Sequence, residues 1–142
     1  MNTLKYIFIL SLLSISAGAQ NQKEKIEQYR IAFITQELNL TTDEAKVFWP
    51  VYDKYRAELE AMRKNNKVDI DKLDYAALTD MEAEKKATEI FSLKQAELDL
   101  QKKYYAEFKK VIPTRKVLRL IKAEADFRQK LVELLQKRQG PK

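Results

Sequence analysis

Residues 39–55 read Asn39-Leu40-Thr41-Thr42-Asp43-Glu44-Ala45-Lys46-Val47-Phe48-Trp49-Pro50-Val51-Tyr52-Asp53-Lys54-Tyr55. Thr41 followed by Glu44 is a capping box: the hydroxyl and the carboxylate each satisfy a backbone N–H that the first helical turn leaves without a partner. Leu40 is placed to pack back onto Ala45 as a hydrophobic staple. From that start Phe48, Tyr52, Tyr55, Leu59 and Met62 recur at four-three spacing, the seam of a helix lying along a partner. Pro50 falls inside the run and lacks the N–H that would bond to the Lys46 carbonyl, so a kink over residues 46–49 is predicted. A second copy of the start, Leu78-Thr79-Asp80-Met81-Glu82, opens another long amphipathic pattern, with Leu78 facing Ala83.

Outward from these two starts the chain is punctuated very little. Glycine occurs only at Gly18 and Gly140, and proline only at Pro50, Pro113 and Pro141. Favoured hairpin turns need positive backbone angles, usually supplied by glycine, so a sheet-rich fold is not expected and an all-α fold of four helices is predicted. The first helix is expected from Gln22 to Leu38, with Ile26, Tyr29, Phe33 and Ile34 on one face. Asn39-Leu40-Thr41 matches a glycosylation acceptor, but Thr41 is better assigned as a cap. Asn65-Asn66 is expected to end the second helix in a left-handed conformation. Asp69, Asp71 and Asp74 then invite a calcium-loop reading that fails on spacing, because Leu73 stands at the third ligand position. A short helical turn from Lys72 to Ala76 is expected instead.

The third helix is expected from Thr79 to Val111, a rod of roughly 48 Å. A compact domain of this size is only about 35 Å across. The molecule is therefore expected to be elongated, or to share the rod with a second copy. Two stripes run along it. Phe91, Leu98, Tyr105 and Ile112 repeat every seven residues; Ile90, Leu93, Leu100, Tyr104 and Val111 form a neighbouring arc that also carries charge. One stripe suffices to bury the helix. The arc with Ile90, Leu93, Leu100 and Tyr104, together with Phe48, Trp49, Pro50, Tyr52 and Tyr55, is the candidate polypeptide-binding or dimer surface. The fourth helix is expected from Pro113 to Gln139, stopped by Gly140-Pro141. Its seam of Val117, Leu120, Phe127, Leu131 and Leu134 includes Glu124, for which an arginine across the interface is the expected partner, a functional acid or a proton-sensitive switch being the alternatives.

At the N-terminus Lys5, the apolar run Tyr6 to Ile15 and Ala17-Gly18-Ala19 fit a cleaved signal peptide over residues 1–19. The run is too short for a membrane span of about 20 residues. No cysteine follows it, so no lipid anchor is expected, and the alternative is an uncleaved N-terminal anchor. Residues 20–142 then form a single helical domain, exported, periplasmic and soluble after cleavage. Losing Lys5 from 27 basic residues leaves 26 against 21 acidic, a net charge of +5. Those charges alternate in sign as on solvated helix faces, which argues against a nucleic-acid partner. The chain has no cysteine and no histidine. Disulfides are therefore absent, and neither a metal site of ordinary type nor any other cofactor is expected. Glu44, Glu82 and Glu124 have capping or ion-pairing explanations, and no nucleophile motif or phosphate loop accompanies them, so no enzyme is expected.

The two capping boxes resemble the repeated L-T-x-x-Q of exported all-helical proteins of the Spy and CpxP type, with Glu44 and Glu82 in place of glutamine. Asn39 to Tyr52 is similar throughout to the N-L-T-x-x-E-A-x-x-F-W-P-x-Y block of small secreted sensors of ECF-type sigma factors, and Ala123-Glu124-Ala125-Asp126-Phe127 resembles their A-E-x-x-F stretch. The resemblance implies an elongated, bent antiparallel hairpin of four helices that dimerises into a cradle and holds unfolded clients without ATP in envelope stress. It also implies a second role, a signalling accessory that binds a folded membrane-bound regulator. A protein partner and a homodimer are expected either way; contact with a membrane surface is not predicted.

Overall fold

The computed structural model describes the backbone of residues 3–66 and 70–138, and side chains over 20–66, 70, 72–137. Four α-helices account for nearly all of it: α1 Thr3–Leu38, α2 Thr42–Asn65, α3 Asp80–Val111 and α4 Thr114–Arg138. Among the described residues there is no strand, and no helix is long and apolar enough to cross a membrane. The fold is all-α, as the scarcity of glycine and the two capping boxes require.

Both boxes form. Glu44 N donates to Thr41 Oγ1 at 3.2 Å and Thr41 N to Glu44 Oε2 at 2.9 Å; Glu82 N donates to Thr79 Oγ1 at 3.3 Å and Thr79 N to Glu82 Oε2 at 2.9 Å. The helices they open have 24 and 32 residues, and α2 runs unbroken through Pro50. The predicted start of α1 is too late. Its helix extends back to Thr3, through the segment read as a leader, since Gly18 costs a helix only about 1 kcal/mol and no proline stops it. The first two residues and the stop at Gly140-Pro141 lie outside the described residues.

Helix ends differ from expectation in an instructive way. The left-handed asparagine is Asn39, at φ 45°, not Asn65 or Asn66. Asn39 N donates to Gln36 O at 3.0 Å and Leu40 N to Thr35 O at 3.1 Å, a Schellman motif that closes α1. Asn66 has φ −123° and closes α2 with its side chain, Nδ2 donating to the Met62 carbonyl at 2.9 Å. Asn39-Leu40-Thr41 is thus a complete helix-to-helix joint: one residue closes α1 and the next but one caps α2.

In the connector a 3-10 turn forms at Ile70–Lys72, earlier than predicted. It is followed by a turn in which Asp74 Oδ1 accepts from Ala76 N at 3.1 Å. Asp69 lies outside the described residues. At the other joint Ile112 is extended, the conformation favoured before proline, and the Pro113 carbonyl accepts from Lys116 N at 2.8 Å to begin α4.

The chain divides into two compact units, Thr41–Val117 and Met1–Leu40 with Leu118–Lys142. In the first, α2 and α3 pair antiparallel, as the matched contacts Arg63 to Glu97, Lys103 to Glu58 and Phe48 to Phe108 show. In the second, α1 and α4 pair antiparallel: Arg119 bonds to Glu37, and Phe127 meets Phe33 at 5.9 Å and Tyr29 at 5.7 Å between ring centres.

Candidate polypeptide-binding surface

The aromatic seam of α2 lies inside, packed on α3, which overturns the expectation that Phe48, Tyr52 and Tyr55 form a polypeptide-binding or dimer surface. Phe48, Tyr52, Tyr55 and Leu59 are buried. Phe48 stacks on Tyr52 at 5.5 Å and meets Phe108 of α3 at 5.4 Å; Tyr55 meets Tyr104 at 5.2 Å. Offset and tilted pairs of this kind add about 0.5–1.5 kcal/mol each beyond the area they bury. Trp49 is half-buried and sets its ring edge-on to Phe48 and Tyr52, at 5.0 and 5.2 Å. Only Pro50 of the F-W-P block is exposed.

The expected assignment of the two α3 stripes is corrected by this packing. Leu100 and Tyr104, predicted on the docking arc, are buried with Phe108 against α2. Tyr104 is held there by a hydrogen bond from its hydroxyl to Glu58 Oε1 at 2.6 Å. Lys103 reaches the other oxygen of that carboxylate at 2.8 Å. Ile90 and Leu93 are half-buried, and Leu93 lines an open pocket of 620 Å³ with Asn65, Asn66, Ser92 and Ala96. The exposed stripe is the other one as far as Tyr105, while its last member, Ile112, is buried. Phe91 is 67% exposed and Leu98 44%, with Tyr105 also open to water.

That stripe is lined with cations. Lys94, Lys102 and Lys109 fall three or four residues from its members and so share the face. The Lys109 ammonium lies 5.3 Å from the centre of the Tyr105 ring, and among the described residues Lys94 and Lys102 have no ion-pair partner. Apolar side chains and lysine ammonium groups therefore alternate over five turns of the helix. The seven-residue repeat was visible in the sequence. What marks it as the wet face is the position of these three lysines, a signal carried by spacing alone.

Electrostatics separates the remaining candidates by role. Glu44 and Glu82 both have carboxyls held below the ordinary 4.5: Glu44 first by Lys116 and then by the Thr41 N–H, Glu82 by the Thr79 N–H and hydroxyl. They are structural anions occupied at the helix starts that Thr41 and Thr79 cap, beside Leu40 and Leu78. Glu58 is likewise held low, first by Lys103 and then by Tyr104, while burial and the Glu58 bond push the Tyr104 phenol up to about 12. Glu124 stands 4.0 Å from Arg128, one turn along its own helix. No protein-family model matches the chain, no curated protein is similar to it, and no solved structure matches it.

Proposed function

We propose that this chain is an exported, non-enzymatic helical protein that binds polypeptides, chiefly unfolded clients, without ATP, in the manner of the Spy/CpxP-like chaperones it resembles. The observation that carries the reading is the exposed α3 stripe of Phe91, Leu98 and Tyr105, interleaved with Lys94, Lys102 and Lys109. Water-exposed apolar side chains in a continuous row mark an interaction surface. The flanking ammonium groups attract acidic segments at a distance set by screening, and the rings then bury apolar side chains of the captured segment. Flexible clients suit such a surface because it demands no fixed partner geometry. The second reading, an accessory of an ECF sigma system that binds a folded membrane regulator, draws on Trp49 and Pro50, the parts of the F-W-P block not wholly enclosed.

Light scattering of a chemically denatured client separates the two. An equimolar amount of the protein is expected to suppress aggregation, and Phe91→Ser with Leu98→Ser to abolish the suppression while helicity is retained. Unchanged scattering with the unmodified protein sinks the chaperone reading. Loss of sigma-regulon induction on gene deletion, without any effect on clients, would support the accessory role.

A further inference from the structure

The surplus positive charge of residues 20–142 is not spread along the chain. Helices α2 and α3 balance, with five and seven residues of each sign, whereas α4 carries eight basic residues against three acidic ones. The same helix has two apolar faces. Val117, Leu120, Ala123 and Phe127 are buried, and Phe127 meets Phe33 and Tyr29 of α1. About half a turn around the helix from Phe127, Leu118, Ile121, Ala125 and Val132 form an outer seam roughly 21 Å long, and all four are exposed. Leu118 is 67% open to water and Ile121 59%. Scattered exposed apolar residues need no explanation, but a continuous row of them on the one strongly basic helix does.

We propose that α4 lies along an anionic phospholipid surface, with its outer seam sunk into the boundary between headgroups and acyl chains. Arg115, Lys122 and Arg128 stand three or four residues from members of the seam and so line its margins. The three acids of the helix are engaged within it. Asp126 accepts from Lys122 at 2.6 Å, Glu133 from Gln129 at 3.2 Å, and Glu124, largely enclosed, lies 4.0 Å from Arg128. What remains for a partner is therefore apolar in the middle and positive at the edges. A nucleic acid would use the cations and leave the seam in water. A folded protein would have to supply a groove for a convex ridge and an acid for each cation beside it. A bilayer interface supplies both: it admits the apolar face of such a helix to a depth of about 5–10 Å, and long cationic side chains reach its phosphates while their stems stay on the apolar surface. The α3 stripe plays no part in this contact, so the inference stands apart from the client-binding reading.

Flotation of the full chain with lipid vesicles tests it. Binding to phosphatidylglycerol vesicles is expected to exceed binding to uncharged phosphatidylcholine vesicles, and to weaken as salt screens the headgroups. Ile121→Gln, at a side chain already exposed, weakens the anionic binding about tenfold with helicity unchanged. Arg115→Gln with Arg128→Gln weakens it by about tenfold as well. The chain has no cysteine, so an introduced thiol carries a polarity-sensitive fluorophore at one place only. Emission from Leu118→Cys and Val132→Cys moves to the blue on anionic vesicles, while that from Asp53→Cys, exposed on α2, does not. Phe91→Ser with Leu98→Ser leaves vesicle binding intact, so loss of client capture and loss of lipid binding are separable. Equal binding to the two kinds of vesicle, indifference to Ile121→Gln, or loss of binding in the Phe91 and Leu98 variant overturns the proposal. So do unmoved fluorophores at 118 and 132, the result that attachment through the apolar residues 6–15 would give.

Discussion

The Lys116 ammonium donates to Glu44 Oε2 at 2.5 Å, so the carboxylate that completes the cap of α2 also holds the first turn of α4. Among the described residues, its counterpart Glu82 is bonded only within its own box. The two motifs are alike in sequence and unlike in what depends on them.

Glutamine in place of either glutamate keeps an acceptor for the cap but removes the charge. Glu44→Gln is therefore expected to lower the melting temperature more than Glu82→Gln, and Thr41→Ala to cost about 1 kcal/mol through the cap alone. The acid limb follows in sign. The folded carboxyl of Glu44 titrates below its ordinary 4.5, so the unfolded chain takes up protons first, and the stability it contributes is complete above 4.5 and lost as pH falls from there through the lowered folded value. Melting curves from about pH 6 to about pH 3 should show a shallower acid decline in Glu44→Gln than in the unmodified protein. Equal curves would mean that Lys116 adds nothing.

Phe108 touches Phe48, Tyr52, Tyr55 and Tyr104, all at ring distances of 5.4 to 6.4 Å, and is the centre of the α2–α3 core. Phe108→Ala is expected to cost about 3–5 kcal/mol in denaturant unfolding, because the cavity it leaves is walled by rigid rings. Phe91→Ala, on the exposed stripe of the same helix, should stay within about 0.5 kcal/mol. A large loss at Phe91 would place that residue in a core and remove the proposed binding surface.

This contrast marks how far the sequence could be read. Capping is local: Thr41 and Glu44 are three residues apart, and their geometry follows once a helix starts there. The α2 seam was legible because its period names one face only. On α3 two stripes have helical spacing, and the choice between them is made by α2, whose Tyr55, Glu58 and Arg63 engage Tyr104, Lys103 and Glu97 across the seam. No local pattern contains that pairing. The Schellman joint at Asn39 follows from local sequence as well: in a stretch without glycine, asparagine followed by leucine at a helix end suits both the left-handed position and the apolar one after it. Exposure of the α4 seam also depends on which of two neighbouring faces α1 covers, a tertiary outcome.

Tyr104 adds an alkaline limb of opposite origin. Burial and the bond to Glu58 favour its neutral form and push its titration up to about 12. With the folded value above the unfolded 10.0, its contribution is complete below pH 10.0 and is lost as pH rises through the folded value. Phenolate absorbance should therefore show Tyr104 ionising late, with unfolding. Tyr104→Phe is expected to remove that late step and to cost about 1–2 kcal/mol at neutral pH through the lost hydrogen bond. A full complement of seven phenolates well below pH 12 would contradict the buried Tyr104–Glu58 contact.

Arg30 is the one charged side chain buried among the described residues, 8% exposed, with its guanidinium 4.9 Å from the centre of the Phe127 ring. Its Nε and Nη1 have no hydrogen-bond acceptor there, and Glu27 approaches Nη1 only to 3.5 Å. A buried donor without an acceptor costs about 1–3 kcal/mol, whereas a cation over a ring returns about 0.5–2 kcal/mol. An Nε without an acceptor, beside an Nη1 held only by a long ion pair, outweighs one ring contact. Arg30→Met keeps the length and flexibility to fill the space over Phe127, adds a favourable sulfur–ring contact, and leaves Glu27 free in water. It is therefore expected to raise stability by about 1 kcal/mol, measured by urea unfolding with an unchanged slope. Arg30→Ala serves as the control: it removes the unsatisfied donors but opens a cavity beside Phe127, and should fall below Arg30→Met. If Arg30→Met destabilises the protein instead, the guanidinium is satisfied by contacts stronger than the ring, and the balance argued for α1 and α4 is wrong.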